Sequence, residues 1–254
     1  MTPMKRFLFR NSRKTEPALR GRSSSLAWCR APRPFALPFA LALLISGLQA
    51  QNFDDVYKKL QQGRVYTAQK TGVFFLNNRT YDGVDHNYAV NVPANYDPAK
   101  RYQVRFQLHG GIGGRLNNQP RGNGEIGPLA SGIEQIYVLP YAWAEAPWWD
   151  DDQILNLNAI LEKLKENYNV DENRVVISGV SDGATGAYYI AMRDTTPWAS
   201  FLPLNGFVMV LASPEIDDGL IFPNNLRNKP LFVVNGGLDR LYPIRRVRSE
   251  EHTS

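Results

Sequence analysis

The 254-residue sequence predicts an α/β domain with a mostly parallel sheet and helices on both faces. Three observations carry this. Short β-branched or aromatic runs alternate with stretches whose apolar residues recur every three or four positions, the pattern of strand–helix units. One run, Val175-Val176-Ile177, leads directly into Gly179-Val180-Ser181-Asp182-Gly183 and then into a small-residue segment able to open a helix. An earlier run, residues 104–108, ends on His109-Gly110-Gly111-Ile112-Gly113-Gly114.

Charge and cysteine content narrow the function. Nine of the 29 Lys/Arg and only Glu16 of the 24 acids lie in residues 1–50, leaving 20 basic against 23 acidic residues in the body. A slightly acidic body gives no support to a phosphate-binding surface, so nucleic acid is not an expected partner. Cys29, the single cysteine, also lies in the first 50 residues, so the body holds no disulfide, thiolate metal site or cysteine nucleophile.

In chain order, residues 1–34 are basic and rich in Ser and Pro. Residues 35–48 (FALPFALALLISGL) form an apolar run too short for a comfortable membrane span. The reading is a leader and secretory signal peptide over 1–50, cut after Ala50, which places the protein outside the cytoplasm, secreted or periplasmic, with no stable membrane span after cleavage. An uncleaved anchor is the alternative. Residues 51–71 form an N-terminal segment in which 53–60 has amphipathic helical spacing. The main domain spans 72–247, with strands expected at 72–77, 88–92, 104–108, 136–139, 206–211 and 231–235. Residues 93–98 form a turn, and 119–131 a polar loop rich in Gly and Pro.

The G-x-S-x-G match has a physical requirement. Ser181 must occupy a sharp strand-to-helix turn so that its hydroxyl stands clear of the sheet, and Gly179 and Gly183 leave room where side chains would collide. The helix that follows directs unpaired N–H groups at the serine. The glycine-rich loop after residue 108 supplies the complementary part. An attacked carbonyl oxygen becomes an anion, and removing one preorganised N–H that holds it costs roughly 3 kcal/mol of barrier. A phosphate loop would need Gly-Lys-Ser/Thr, which this loop lacks.

Three tryptophans, Trp143, Trp148 and Trp149, follow the strand at 136–139. They are placed to line a substrate pocket, or alternatively to form a hydrophobic lid packed on the core. Asp150, Asp151 and Asp152 precede Ile154, Leu157, Leu161, Leu164 and Tyr168, one apolar helical face. They read as helix caps rather than as metal ligands. Asp239, just past the run at 231–235, is the expected acid that orients a catalytic base, with Asp217 and Asp218 in reserve.

Taken together, residues 72–245 resemble the α/β-hydrolase superfamily, and most of all its secreted esterases of the polyhydroxybutyrate-depolymerase and phospholipase/carboxylesterase type. The resemblance rests on Asn91-Val-Pro-Ala-Asn-Tyr96, Leu108-His-Gly-Gly111, Asn169-Val-Asp-Glu-Asn-Arg174, Gly179-Val-Ser-Asp-Gly183 and Pro230-Leu-Phe-Val-Val-Asn-Gly-Gly-Leu-Asp239. It implies Ser181 as nucleophile, the N–H groups of Asp182 and of Gly111 or Ile112 as oxyanion hole, and Asp239 as the acid. It implies neither cofactor nor metal, and a small-molecule or polymeric ester as substrate. A peptidase or acyltransferase of the same fold, and a non-catalytic ligand-binding relative, are the rival readings.

That fold orders its triad Ser, acid, His. Of the three histidines, His86 and His109 precede Ser181 and only His252 follows Asp239. The closing Arg248-Ser-Glu-Glu-His-Thr-Ser254 reads as the in-frame translation of a sequencing-library adapter. Residues 248–254 are therefore expected to be foreign. The natural chain is expected to continue past Val247, with its last strand, histidine loop and helix missing here. Such a fragment should show little activity and poor solubility.

Overall fold

In a computed structural model, residues 52–81, 83–114 and 134–251 are described; the leader, the loop at 119–131 and His252 lie outside them. The chain divides into two units, residues 1–62 and 63–254. The described part of the first is helix α1 (Phe53–Gln62), where Phe53 and Tyr57 stack one turn apart and no residue is buried.

The second unit is built on a six-stranded sheet: β1 (Gly72–Arg79), β2 (Asp85–Val92), β3 (Tyr102–Leu108), β4 (Gln135–Pro140), β5 (Val170–Val180) and β6 (Ser200–Leu204). Their spatial order is β1-β2-β4-β3-β5-β6. β2 pairs antiparallel with β1 and β4, while β4, β3, β5 and β6 run parallel. β5 reaches further back than its β-branched run because Val170 pairs with Tyr102 across a register shift before Val104 meets Val175.

Helix α2 (Asp151–Asn167) begins as expected. The Asp150 side chain accepts from the Asp152 N–H at 3.0 Å, and Asp151 pairs with Arg193, so the aspartates serve as cap and ion-pair partner. Ile154, Leu157, Ile160, Leu161 and Leu164 bury its apolar face. Helix α3 (Asp182–Arg193) follows the elbow and is buried along almost its whole length. It packs on β5 and β6 while the chain beyond β6 packs over it.

Two expected strands turn out otherwise. The strand expected at 206–211 lies earlier, as β6, because Ser200–Leu204 is the stretch that pairs with β5. Asn205 leaves the strand at φ 51°, and Gly206 approaches Ala184 so closely that an added Cβ would lie 2.4 Å from the Ala184 Cβ. Residues Val208–Ala212 then form a 3₁₀ turn. The run at 231–235 follows β6 in parallel but only through two isolated bridges, Phe201 with Leu231 and Leu204 with Val234. Helix α4 (Ile244–Glu251) follows. Among the described residues no helix is long and apolar enough to cross a membrane.

Candidate active site

Ser181 stands at the carboxyl end of β5, between β3 and β6. Its backbone has φ 56° and ψ −121°, a region that residues with a Cβ avoid, and it forms the N-cap of α3 without capping it through its side chain. Its N–H donates to the Leu204 carbonyl at 3.1 Å, while its own carbonyl accepts from Ala184 and Thr185. The turn is thus pinned from both sides with the hydroxyl left out of the pinning; among the described residues Oγ has no partner. The tightness explains the two motif glycines. A Cβ on Gly179 would lie 2.0 Å from the Gly183 carbonyl oxygen, and one on Gly183 would lie 2.1 Å from that of Leu108.

The loop after β3 comes up beside the serine. A Cβ on Gly110 would lie 2.8 Å from the Ser181 Cβ and 3.4 Å from Oγ. Gly111 has φ 68°, the conformation that glycine permits, and its N–H is without a partner among the described residues. The Ile112 N–H, by contrast, donates to Asp182 Oδ2 at 2.9 Å. Of the two loop donors read from the sequence, only that of Gly111 is uncommitted.

Asp239 ends the segment beside β6. Its Oδ1 accepts from the N–H groups of Leu241 at 2.8 Å and Tyr242 at 3.0 Å, and its Oδ2 accepts from Asn205 Nδ2 at 2.6 Å. These donors, the Tyr242 N–H foremost, hold its carboxyl below the usual carboxylate range. Asn205 also accepts the Gly236 N–H through Oδ1, so one side chain ties the end of β6 to the acid's turn. Sequence reading missed Asn205. Its signal is the Asn205-Gly206 pair, a turn dipeptide directly before the apolar run at 206–211. The reserve acids lie elsewhere. Asp218 is paired with Arg193, which ends α3 about 16 Å along the helix from its start. Asp217 accepts from the Gly219 N–H within its own loop.

The three tryptophans differ in burial, Trp148 and Trp143 being buried and Trp149 partly so. Trp148 is fully buried, its Nε1–H donating to the His109 carbonyl at 2.8 Å. Trp143 is 7% exposed and packs against the ring of His86 at 5.4 Å. Trp149 packs on the same core. Burial of Trp148 follows from its chemistry, since an indole gains most by burying its ring while its N–H finds an acceptor.

Both described histidines have structural places. His109 Nε2 accepts the Ala142 N–H at 3.1 Å, so the ring carries its proton on Nδ1, which faces the Gly110 carbonyl at 3.1 Å. His86 is buried within β2.

No known family model matches the chain. A curated relative, a probable feruloyl esterase C of Aspergillus terreus (strain NIH 2624 / FGSC A1156), is 26% identical over 159 residues, 60% of this chain. The chain spans 58% of that protein's length. Among solved structures, a thermostable esterase matches with a TM-score of 0.52 at 22% identity, over 69% of this chain and 49% of its own. Dipeptidyl peptidase 4 of Porphyromonas gingivalis matches with a TM-score of 0.54 at 16% identity, over 72% of this chain and 30% of its own. With the strand order, the serine at its strained turn and the flanking glycine loop already in place, these likenesses establish that the chain has the α/β-hydrolase fold.

Proposed function

We propose that the protein is a secreted or periplasmic serine esterase. The observation that carries this is Ser181 itself, held at φ 56° with its hydroxyl unpartnered among the described residues and the Gly110–Gly111 turn against it. A strained serine beside the Gly111 and Asp182 N–H groups, none of them partnered among the described residues, is costly for a plain turn and suited to acyl transfer.

In this reading Ser181 Oγ attacks the ester carbonyl as a histidine removes its proton. The oxyanion accepts from the N–H groups of Asp182 and Gly111. The alkoxide leaves with the proton from the imidazolium, and water hydrolyses the acyl-enzyme by the reverse proton path. Asp239 Oδ2, with Asn205 on one side, accepts the histidine's second N–H. That histidine follows Asp239 in the chain, as the fold's order requires, because His86 and His109 are held elsewhere. The leader at 1–50 supports export. The relative's name makes a feruloyl ester the first substrate to offer.

The test uses the complete natural protein, its reading frame verified by long reads across the Val247 codon. The expected result is labelling by a fluorophosphonate probe and hydrolysis of methyl ferulate or a short-chain nitrophenyl ester, both abolished by Ser181→Ala. A protein that is folded, carries a histidine after Asp239 and takes no label is a ligand-binding relative instead. Cleavage of peptide nitroanilides without cleavage of esters assigns it to peptidases.

A further inference from the structure

We propose that Asp182 is a positioning residue that holds the oxyanion loop in register with its own backbone N–H, and that it does so through its side chain rather than its charge. This rests on the esterase reading, which gives the backbone N–H of Asp182 its role but assigns nothing to the carboxylate.

The geometry is specific to this chain. Asp182 is the first residue of α3, so its N–H has no acceptor within the helix. Its Oδ2 reaches across to the loop after β3 and accepts the Ile112 N–H at 2.9 Å, linking positions 70 residues apart. Ile112 is itself anchored, with its side chain 5% exposed in the core and its backbone starting the 3₁₀ turn Ile112–Gly114. The other end of the loop is held at His109 by Trp148 Nε1 and the Ala142 N–H. Between these clamps lie only Gly110 and Gly111, the latter at φ 68°. Two glycines in sequence have wide backbone freedom. Without a clamp at Ile112, the Gly111 N–H would sample many directions, and an oxyanion donor that must be oriented during the reaction loses much of its value. The side chain of Asp182 therefore fixes the second donor relative to the first, which sits on the same residue.

The carboxylate's charge does not help the reaction. A negative group beside a developing oxyanion raises the barrier, and the positive end of α3 offsets it only in part. Asparagine keeps an acceptor at the same reach and removes the charge. Alanine removes the acceptor.

The experiment compares Asp182→Asn and Asp182→Ala in the complete natural protein, with two readouts. Amide hydrogen exchange of Ile112 reports the clamp directly. Initial rates on a nitrophenyl ester, separated into kcat and KM, report its use. In Asp182→Ala the Ile112 amide is expected to exchange faster, and kcat to fall by about tenfold or more with KM little changed. In Asp182→Asn, Ile112 protection is kept and kcat stands about tenfold or more above that of the alanine variant. If the alanine variant fails to fold, Asp182→Glu, which keeps the charge and displaces the acceptor by one methylene, takes its place with the same expected losses. Unchanged Ile112 exchange on loss of the acceptor overturns the proposal. So does a kcat that is unaffected, or one that falls equally in the asparagine variant. A parent protein that hydrolyses no ester defeats the esterase reading instead, and Ile112 exchange still decides whether the clamp exists.

Discussion

Gly186 lies directly beneath Trp148: a Cβ on the glycine would stand 2.4 Å from the Trp148 Cβ and 2.9 Å from Cγ. Glycine inside a helix ordinarily costs about 1 kcal/mol relative to alanine, so Gly186→Ala in an open helix would stabilise. Here the opposing contact is the stem of a fully buried tryptophan held by its hydrogen bond to His109. It cannot swing away like the end of a flexible chain. The expected net effect of Gly186→Ala is a loss of about 1–3 kcal/mol, read as a lower midpoint in urea unfolding.

Ser181 has a conformation that glycine adopts without penalty. Ser181→Gly is therefore expected to raise stability by roughly 1 kcal/mol, the relief of strain exceeding the entropy that glycine adds to the unfolded chain. Ser181→Ala keeps the strained backbone and should leave stability nearly unchanged. Thermal melts of the two variants separate strain from the loss of the hydroxyl, since both lose the phosphonate label.

Asp239 and Asp218 make opposite predictions for turnover. On the proposed mechanism Asp239→Asn cannot stabilise the histidine's imidazolium, and ester hydrolysis is expected to fall by about 10⁴-fold. Asp218→Asn breaks only the pair with Arg193 at the far end of α3 and should leave kcat/KM within about twofold. Steady-state assays of the two variants decide which acid serves the serine.

Both acids have pKa values lowered in the folded state, Asp239 chiefly by the Tyr242 N–H and Asp218 chiefly by its hydrogen bond to Arg193. A depressed carboxyl pKa contributes stability that is fully present above the unfolded value, about 3.9, and is lost as pH falls through the lower folded value. The melting temperature is expected to hold from neutral pH down to about 5 and to fall below about 4. In Asp239→Asn the fall below pH 4 should be shallower, which a pH series of thermal melts reads directly.

Much of this fold was legible because its signals are local. β1 through β5 and helices α2 and α3 follow from alternation, helical spacing and the Asp150 cap. The elbow follows from two glycines at fixed offsets. β6 was not legible because Pro203 and Ser200 interrupt the apolar pattern, and only pairing with β5 makes that stretch a strand. Nor could composition decide which way the tryptophans face. Trp148 turns inward because Gly186, 38 positions later, leaves it a slot, and helical spacing alone does not connect the two. The link from Asp182 to Ile112 spans 70 residues and leaves no mark in either segment.

His109 receives one hydrogen bond at its ring from Ala142 and another at its carbonyl from Trp148. The tryptophan-rich stretch and the start of the glycine loop are consequently one mechanical part, joined at a single residue. A displacement of residues 142–148 moves the Gly110–Gly111 turn with it. Burial of Trp148 thus acts as ballast for the loop, setting how stiffly the Gly110–Gly111 turn is held.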